Sequence, residues 1–125
     1  MQERRWGDAG NEFSILIIRW VDTILNFDNF LRVIVSFGDK ESAGIFNGEQ
    51  SKKFPAEIQD RAERKLVQIH ESTDIGQLRI PAGNRVEALS GNLKGYHSIR
   101  INQQWRIIFK WENCNAHQVQ ITAYH

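Results

Sequence analysis

The segment Trp105-Arg-Ile-Ile-Phe-Lys-Trp111 carries a large apolar side chain at every odd position, with Arg106 and Lys110 among the even ones. Successive side chains of a strand point to opposite faces, so this alternation commits the segment to a two-sided strand with one face in a core. The flanking runs repeat the pattern. Ile99 and Ile101 oppose Ser98 and Arg100, and Val119, Ile121 and Ala123 oppose Gln118, Gln120, Thr122 and Tyr124. Tyr96 to His125 therefore reads as two consecutive hairpins.

The apolar sets must share a face, because a slip of one residue sends a whole set to solvent. A three-residue loop, Asn102 to Gln104, meets this condition and predicts Ile101 opposite Trp105, Ile99 opposite Ile107 and Arg100 opposite Arg106. If the next loop is Cys114 to Ala116, Phe109 faces Ile121, Ile107 faces Ala123, and Tyr124 falls beside Arg106. Arg100, Arg106 and Tyr124 then form one row. Like charges directly opposite on a sheet cost roughly 0.2–1 kcal/mol, and two guanidinium forks aimed the same way suit a phosphate. The alternative is that the arginines splay into water or pair with Glu87 and Glu112.

A chain of 125 residues holds one domain with a real core. Its net charge of +1 hides an asymmetry: from Gly76 onward six Lys or Arg stand against two acids, Glu87 and Glu112. A polyanion partner fits that basic half, as does an ordinary solvated face. The lone Cys114 has no disulfide or CxxC partner, which fits a reducing, cytoplasmic setting. The four histidines show no metal-ligand spacing, and neither metal nor cofactor is expected.

Phe13 to Ile18 starts an apolar run, but Arg19 and Asp22 interrupt it far short of the roughly 20 residues of a membrane span. Residues 1–32 read either as an amphipathic helix or as translated upstream DNA. In the second case the working domain, 33–125, begins at Val33, since GTG encodes valine inside a frame and also serves as a bacterial start. Val33 to Phe37 is a short strand. Asp39 then caps a helix ending near Asn47-Gly48. A longer helix starts at Pro55, taken as its first helical residue; Ile58, Ala62, Leu66 and Ile69 form its apolar stripe. Arg61, Arg64 and Lys65 interleave with Glu57, Asp60 and Glu63 as a salt-bridged solvent face. Asp74 to Leu78 adds a helical turn, Pro81 to Asn84 breaks the chain, Arg85 to Leu89 forms the first strand of the sheet, and Ser90 to Gly95 is a hairpin turn rather than a phosphate loop.

The order strand, two helices, antiparallel sheet is joined by the stretches Gly83-Asn-Arg-Val-Glu-Ala-Leu89, Gly95-Tyr-His-Ser-Ile-Arg-Ile-Asn102, Gln104-Trp-Arg-Ile-Ile-Phe109 and Tyr124-His125. Together they resemble the HigB toxins of the RelE/ParE superfamily over about Val33 to His125. The resemblance implies an α+β, RelE-like fold: a short N-terminal strand and two helices packed on one face of a twisted antiparallel sheet. It also implies the toxin of a type II toxin–antitoxin pair, a ribosome-dependent mRNA endonuclease in which the RNA 2′-hydroxyl attacks the adjacent phosphate without a metal. Its implied partners are a HigA-type helix-turn-helix antitoxin, the ribosome with its mRNA, and operator DNA only through the antitoxin.

By the same resemblance Arg106 stabilises the phosphate and the transition state, Tyr124 stacks on or orients the substrate, and His125 transfers a proton. Arg85, Arg100, Lys94 and Lys110 are RNA contacts by charge and face, and Glu87, on the strand face of Arg85, is a candidate acid or base. Two positions depart from the family pattern. Ala123 stands where many members carry Asp, and Ser90 where many carry Lys. These departures leave open a second reading, a non-catalytic or gyrase-directed protein of the same fold that binds an antitoxin. If residues 1–32 form an interaction helix, a heteromeric adaptor is a third.

Overall fold

The computed structural model describes residues 33–124. The expectations for residues 1–32 and for His125 lie outside the described residues. In chain order the elements are β1 (Val33–Ile34), α1 (Lys40–Phe46), α2 (Ala56–His70), β2 (Glu87–Ala88), β3 (Tyr96–Arg100), β4 (Trp105–Glu112) and β5 (Asn115–Ala123), with short 3-10 turns at Ile75–Arg79, Ala82–Asn84 and Gly91–Leu93. The strands form one five-stranded sheet in the order β1-β5-β4-β3-β2. Every pairing is antiparallel except β1 with β5, which is parallel. This is the expected α+β arrangement.

Local chemistry fixes the helix ends. The Asp39 carboxylate accepts the Ser42 N–H at 2.7 Å, a cap worth about 1 kcal/mol. The Ser42 hydroxyl in turn accepts the Ile121 N–H at 2.9 Å, in a buried bond that stitches the start of α1 to β5. Beyond the cap residue Asn47, Gly48 takes φ +85° and turns the chain out of α1. Pro55 is the N-cap of α2 rather than its first helical residue. Having no side-chain acceptor, it leaves the loop to Gln59, whose amide donates to the Ser51 and Phe54 carbonyls at 2.8 Å each.

The predicted stripe of α2 is buried: Ile58, Ala62, Leu66 and Ile69 are 2% exposed or less. It packs with Ile99, Ile107, Phe109 and Ile121 of the sheet in one core cluster, where each large apolar side chain contributes about 1.5–3 kcal/mol. The expected salt-bridged face is corrected: among the described residues Arg61, Arg64 and Lys65 form no ion pair with Glu57, Asp60 or Glu63. Arg61 donates to the Ile101 carbonyl at 3.0 Å, and Lys65 donates to Asn84, so both tie α2 to the rest of the domain.

The β3–β4 register is the predicted one, with Ile99 opposite Ile107 and Arg100 opposite Arg106. Asn102 holds that loop by accepting the N–H groups of Gln104 and Trp105, both at 2.8 Å. The β4–β5 register differs from the prediction. Ile107 faces Ile121, Trp105 faces Ala123, and Thr122 rather than Tyr124 stands opposite Arg106. The cause is a tighter turn than the expected Cys114 to Ala116 loop. Asn113 and Cys114 both adopt positive φ, 52° and 64°, which suits a two-residue hairpin. An extra residue is then absorbed in a bulge where Gln118 takes φ 52°. The first strand of the sheet is also shorter than expected. Arg85 is left-handed (φ 46°, ψ 61°) and precedes β2, so it does not share a strand face with Glu87.

Candidate functional site

The alternation that buries Ile99, Ile107 and Ile121 turns Ser98, Arg100, Arg106 and Thr122 to the opposite face of the sheet. Arg100 and Arg106 are directly opposed, and Thr122 completes the rung on the other side of Arg106. Tyr124 is brought in on the diagonal. Its N–H donates to the Gln104 carbonyl at 2.8 Å, and the Arg106 guanidinium carbon lies 5.0 Å from its ring centroid. The expected single row of Arg100, Arg106 and Tyr124 is therefore corrected: Arg100 and Arg106 share a rung, Thr122 holds the place beside Arg106, and Tyr124 reaches the Arg106 guanidinium from the diagonal.

Neither arginine makes an ion pair with a described residue. Glu112 is taken by Lys110 at 3.5 Å, and Arg100 Nε donates to the Asn102 carbonyl at 3.2 Å. Arg106 Nε is buried and has no acceptor among the described residues. An unmade buried hydrogen bond costs about 1–3 kcal/mol and the like-charge pair up to about 1 kcal/mol, against roughly 0.5–1 kcal/mol from the Tyr124 contact. Folding stability does not account for this row. An anion that filled the empty donor would reverse the balance.

The remaining candidates spread outward from it. Glu87 is exposed and stands opposite Ser98, one rung from the arginines on the same face. Lys110 lies a further rung away, opposite Tyr96, and Lys94 is exposed at the end of the Gly91–Leu93 turn. Arg85 is exposed just before β2. Its strained left-handed backbone is held from below by Asn84, which is fully buried. The Asn84 amide donates to the Leu78 carbonyl at 2.9 Å and to Gln68 at 3.1 Å, and its oxygen accepts from Lys65. Burial, with smaller contributions from Arg61 and Arg64, lowers the Lys65 pKa from its ordinary value.

Sequence reasoning did not single out Asn84, Gln68, Thr122 or Ser98. Period-2 and period-3.6 patterns report where apolar residues go, and a buried amide in a loop leaves no such trace. His97 alternates to the helix side, where its ring stacks on Phe109 with centroids 6.2 Å apart. Burial, then Arg79, lowers its pKa. It lies on the face away from the arginines. Of the two departures, Ser90 is exposed, with no capping hydrogen bond from its side chain. Ala123 faces Trp105 on the apolar side, as expected for alanine there. Among the described residues no group of three or more His, Cys, Asp or Glu could hold a metal ion, and no helix is long and apolar enough to cross a membrane.

Comparison with known proteins converges on one family. The family model described as the RelE-like toxin of type II toxin–antitoxin system HigB matches residues 35–125. Toxin HigB-1 of Vibrio cholerae is 40% identical over 78 residues, which cover 62% of this chain and 82% of that protein. Endoribonuclease HigB of Proteus vulgaris is 31% identical over 93 residues, covering 74% of this chain and the whole of that protein. With the fold, the opposed arginines and these matches in place, the chain belongs to the HigB family of RelE-like toxins of type II toxin–antitoxin systems.

Proposed function

We propose that this toxin is an endoribonuclease that cuts mRNA in the decoding site of the cytoplasmic ribosome. The name of the Proteus vulgaris relative supports the nuclease reading. The observation that carries it here is Arg106, packed against Tyr124 on the sheet face away from the helices, with no carboxylate partner among the described residues and a buried Nε that has no acceptor there. In this reaction the 2′-oxygen attacks the adjacent phosphorus and the bond from phosphorus to the 5′-oxygen breaks, leaving a 2′,3′-cyclic phosphate and a 5′-hydroxyl. Glu87 takes the proton from the 2′-hydroxyl, and His125 gives one to the departing 5′-oxygen. Arg106 neutralises the charge that builds on the phosphoryl oxygens. Tyr124 leaves the guanidinium to stack on a base. Arg100, Arg85, Lys94 and Lys110 hold the strand on either side.

A toxin of this kind has an antitoxin partner, for which we infer a helix-turn-helix protein of the HigA type that also carries the pair to operator DNA. Ala123 and Ser90 favour the second reading, a toxin-fold protein that binds its antitoxin without cutting RNA. Induction in a bacterial host, with mRNA 5′ ends mapped beside an Arg106→Ala, His125→Ala double variant, separates the two. The nuclease reading expects cuts inside translated codons that vanish in the variant. Growth arrest without such cuts contradicts it and points to a gyrase-directed protein of the same fold, and no arrest at all contradicts it and leaves the antitoxin binder.

A further inference from the structure

Arg106 Nε is not alone on the sheet face away from the helices. The Ser98 side chain is also buried, with the residue only 1% exposed, and its hydroxyl has no hydrogen-bond partner among the described residues. The register pairs Ser98 with Ile108 and Arg100 with Arg106, so Ser98 and Arg106 are diagonal neighbours on one face. Diagonal neighbours across a strand pair lie roughly 7–8 Å apart at the backbone. That separation lets two oxygens of one tetrahedral anion reach both side chains through ordinary hydrogen bonds. On its other flank Ser98 is opposed by Glu87.

Buried polar atoms in folded proteins are nearly always paired, and two unpaired ones side by side call for an account. A structural role fails for Ser98, because an unpartnered hydroxyl contributes nothing that alanine would not. We propose that the Ser98 hydroxyl and Arg106 Nε–H form a two-donor seat for a backbone phosphate of RNA. Ser98 thereby becomes a further substrate-contacting residue of the site. The inference rests on the RNA-cleaving reading of the toxin and deepens it. Arg106 supplies charge, and Ser98 fixes which non-bridging oxygen faces Glu87 and therefore which 2′-hydroxyl is aligned. Seating the phosphate displaces the Tyr124 ring from Arg106, freeing the ring for a base.

The test follows the Arg106 Nε–H resonance by NMR in the full chain, wild type and Ser98→Ala. The probes are inorganic phosphate and a 2′-O-methylated RNA hexamer, which cannot be cleaved. Both should move the resonance in the wild type. Ser98→Ala should weaken both by about tenfold, the worth of one hydrogen bond to a charged group, while its unfolding midpoint stays level or rises. Ser98→Thr, which keeps the hydroxyl, should restore affinity. Unchanged affinity in Ser98→Ala overturns the proposal, as does a fall in affinity that tracks a fall in the midpoint. A response to phosphate but not to RNA overturns it too. Absence of mRNA cleavage by the wild type would instead remove the nuclease reading and leave the titration to decide the seat by itself.

Discussion

On the helix-covered face of the sheet, Ile99, Ile107, Phe109 and Ile121 are at most 3% exposed and share one core with the stripe of α2. One residue away along the same strands, the opposite face sets Arg100 against Arg106 and leaves Arg106 Nε and Ser98 Oγ buried without partners among the described residues. The first face is what the hydrophobic effect selects. The second is what it selects against, since each unmade bond and like-charge contact costs stability that the fold must supply elsewhere. A well-packed helix-covered side is the kind of rigid frame that a binding face on the other side of the sheet requires.

This contrast breaks most sharply on the covered side. Phe109→Ala should destabilise the domain by about 3–5 kcal/mol, read by denaturant unfolding, and should lose toxicity only because less protein is folded. Arg106→Ala should do the opposite. Its unfolding free energy should stay within about 1 kcal/mol of the wild type, whereas cleavage falls about 100-fold or more, as when an enzyme loses one group that stabilises transition-state charge. Asn84→Ala sharpens the picture in the loop that leads into β2. It strands the Leu78 carbonyl and Lys65 and should cost about 1–3 kcal/mol, with greater protease sensitivity in residues 78–85.

Two smaller effects follow. Tyr124→Phe keeps the ring over Arg106 and should leave stability unchanged; Tyr124→Ala should lose about 0.5–1 kcal/mol, detectable as a shift in urea midpoint. The smallest is a pH effect on the covered side. The His97 pKa lies below 6.5 in the folded chain, so below that pH the unfolded state binds the extra proton more readily. Stability should fall as pH drops from 6.5 toward the depressed folded value, and His97→Gln should flatten that slope.

The fold was legible wherever one pattern excluded its alternatives. The stripe Ile58, Ala62, Leu66 and Ile69 permits one buried helix face, and the β3–β4 pair permits one register once the apolar sets must coincide with a short loop. The β4–β5 pair was not decided this way. A shift of two residues keeps every apolar side chain on the same face, so Ile121 can oppose Phe109 or Ile107 with equal hydrophobic merit. The turn decides, and its positive φ values fall on Asn113 and Cys114, where no glycine marks them. The Arg100–Arg106 opposition was readable because it depends only on the register that was secure. Tyr124 reaches Arg106 because a tyrosine ring spans a diagonal as well as a direct rung. Ser98 and Asn84 could not be found from pattern, since their significance lies in which hydrogen bonds are made or missing after folding.

The most direct test of the arginine-bearing face as an RNA-cleaving site is primer extension on programmed bacterial ribosomes, using purified full-length wild type and Arg106→Ala matched for folded fraction by their unfolding curves. The account predicts a new 5′ end within the decoding-site codon for the wild type, formed about 100-fold more slowly or not at all by the variant. Equal cleavage by both, or none by a fully folded wild type, would contradict it.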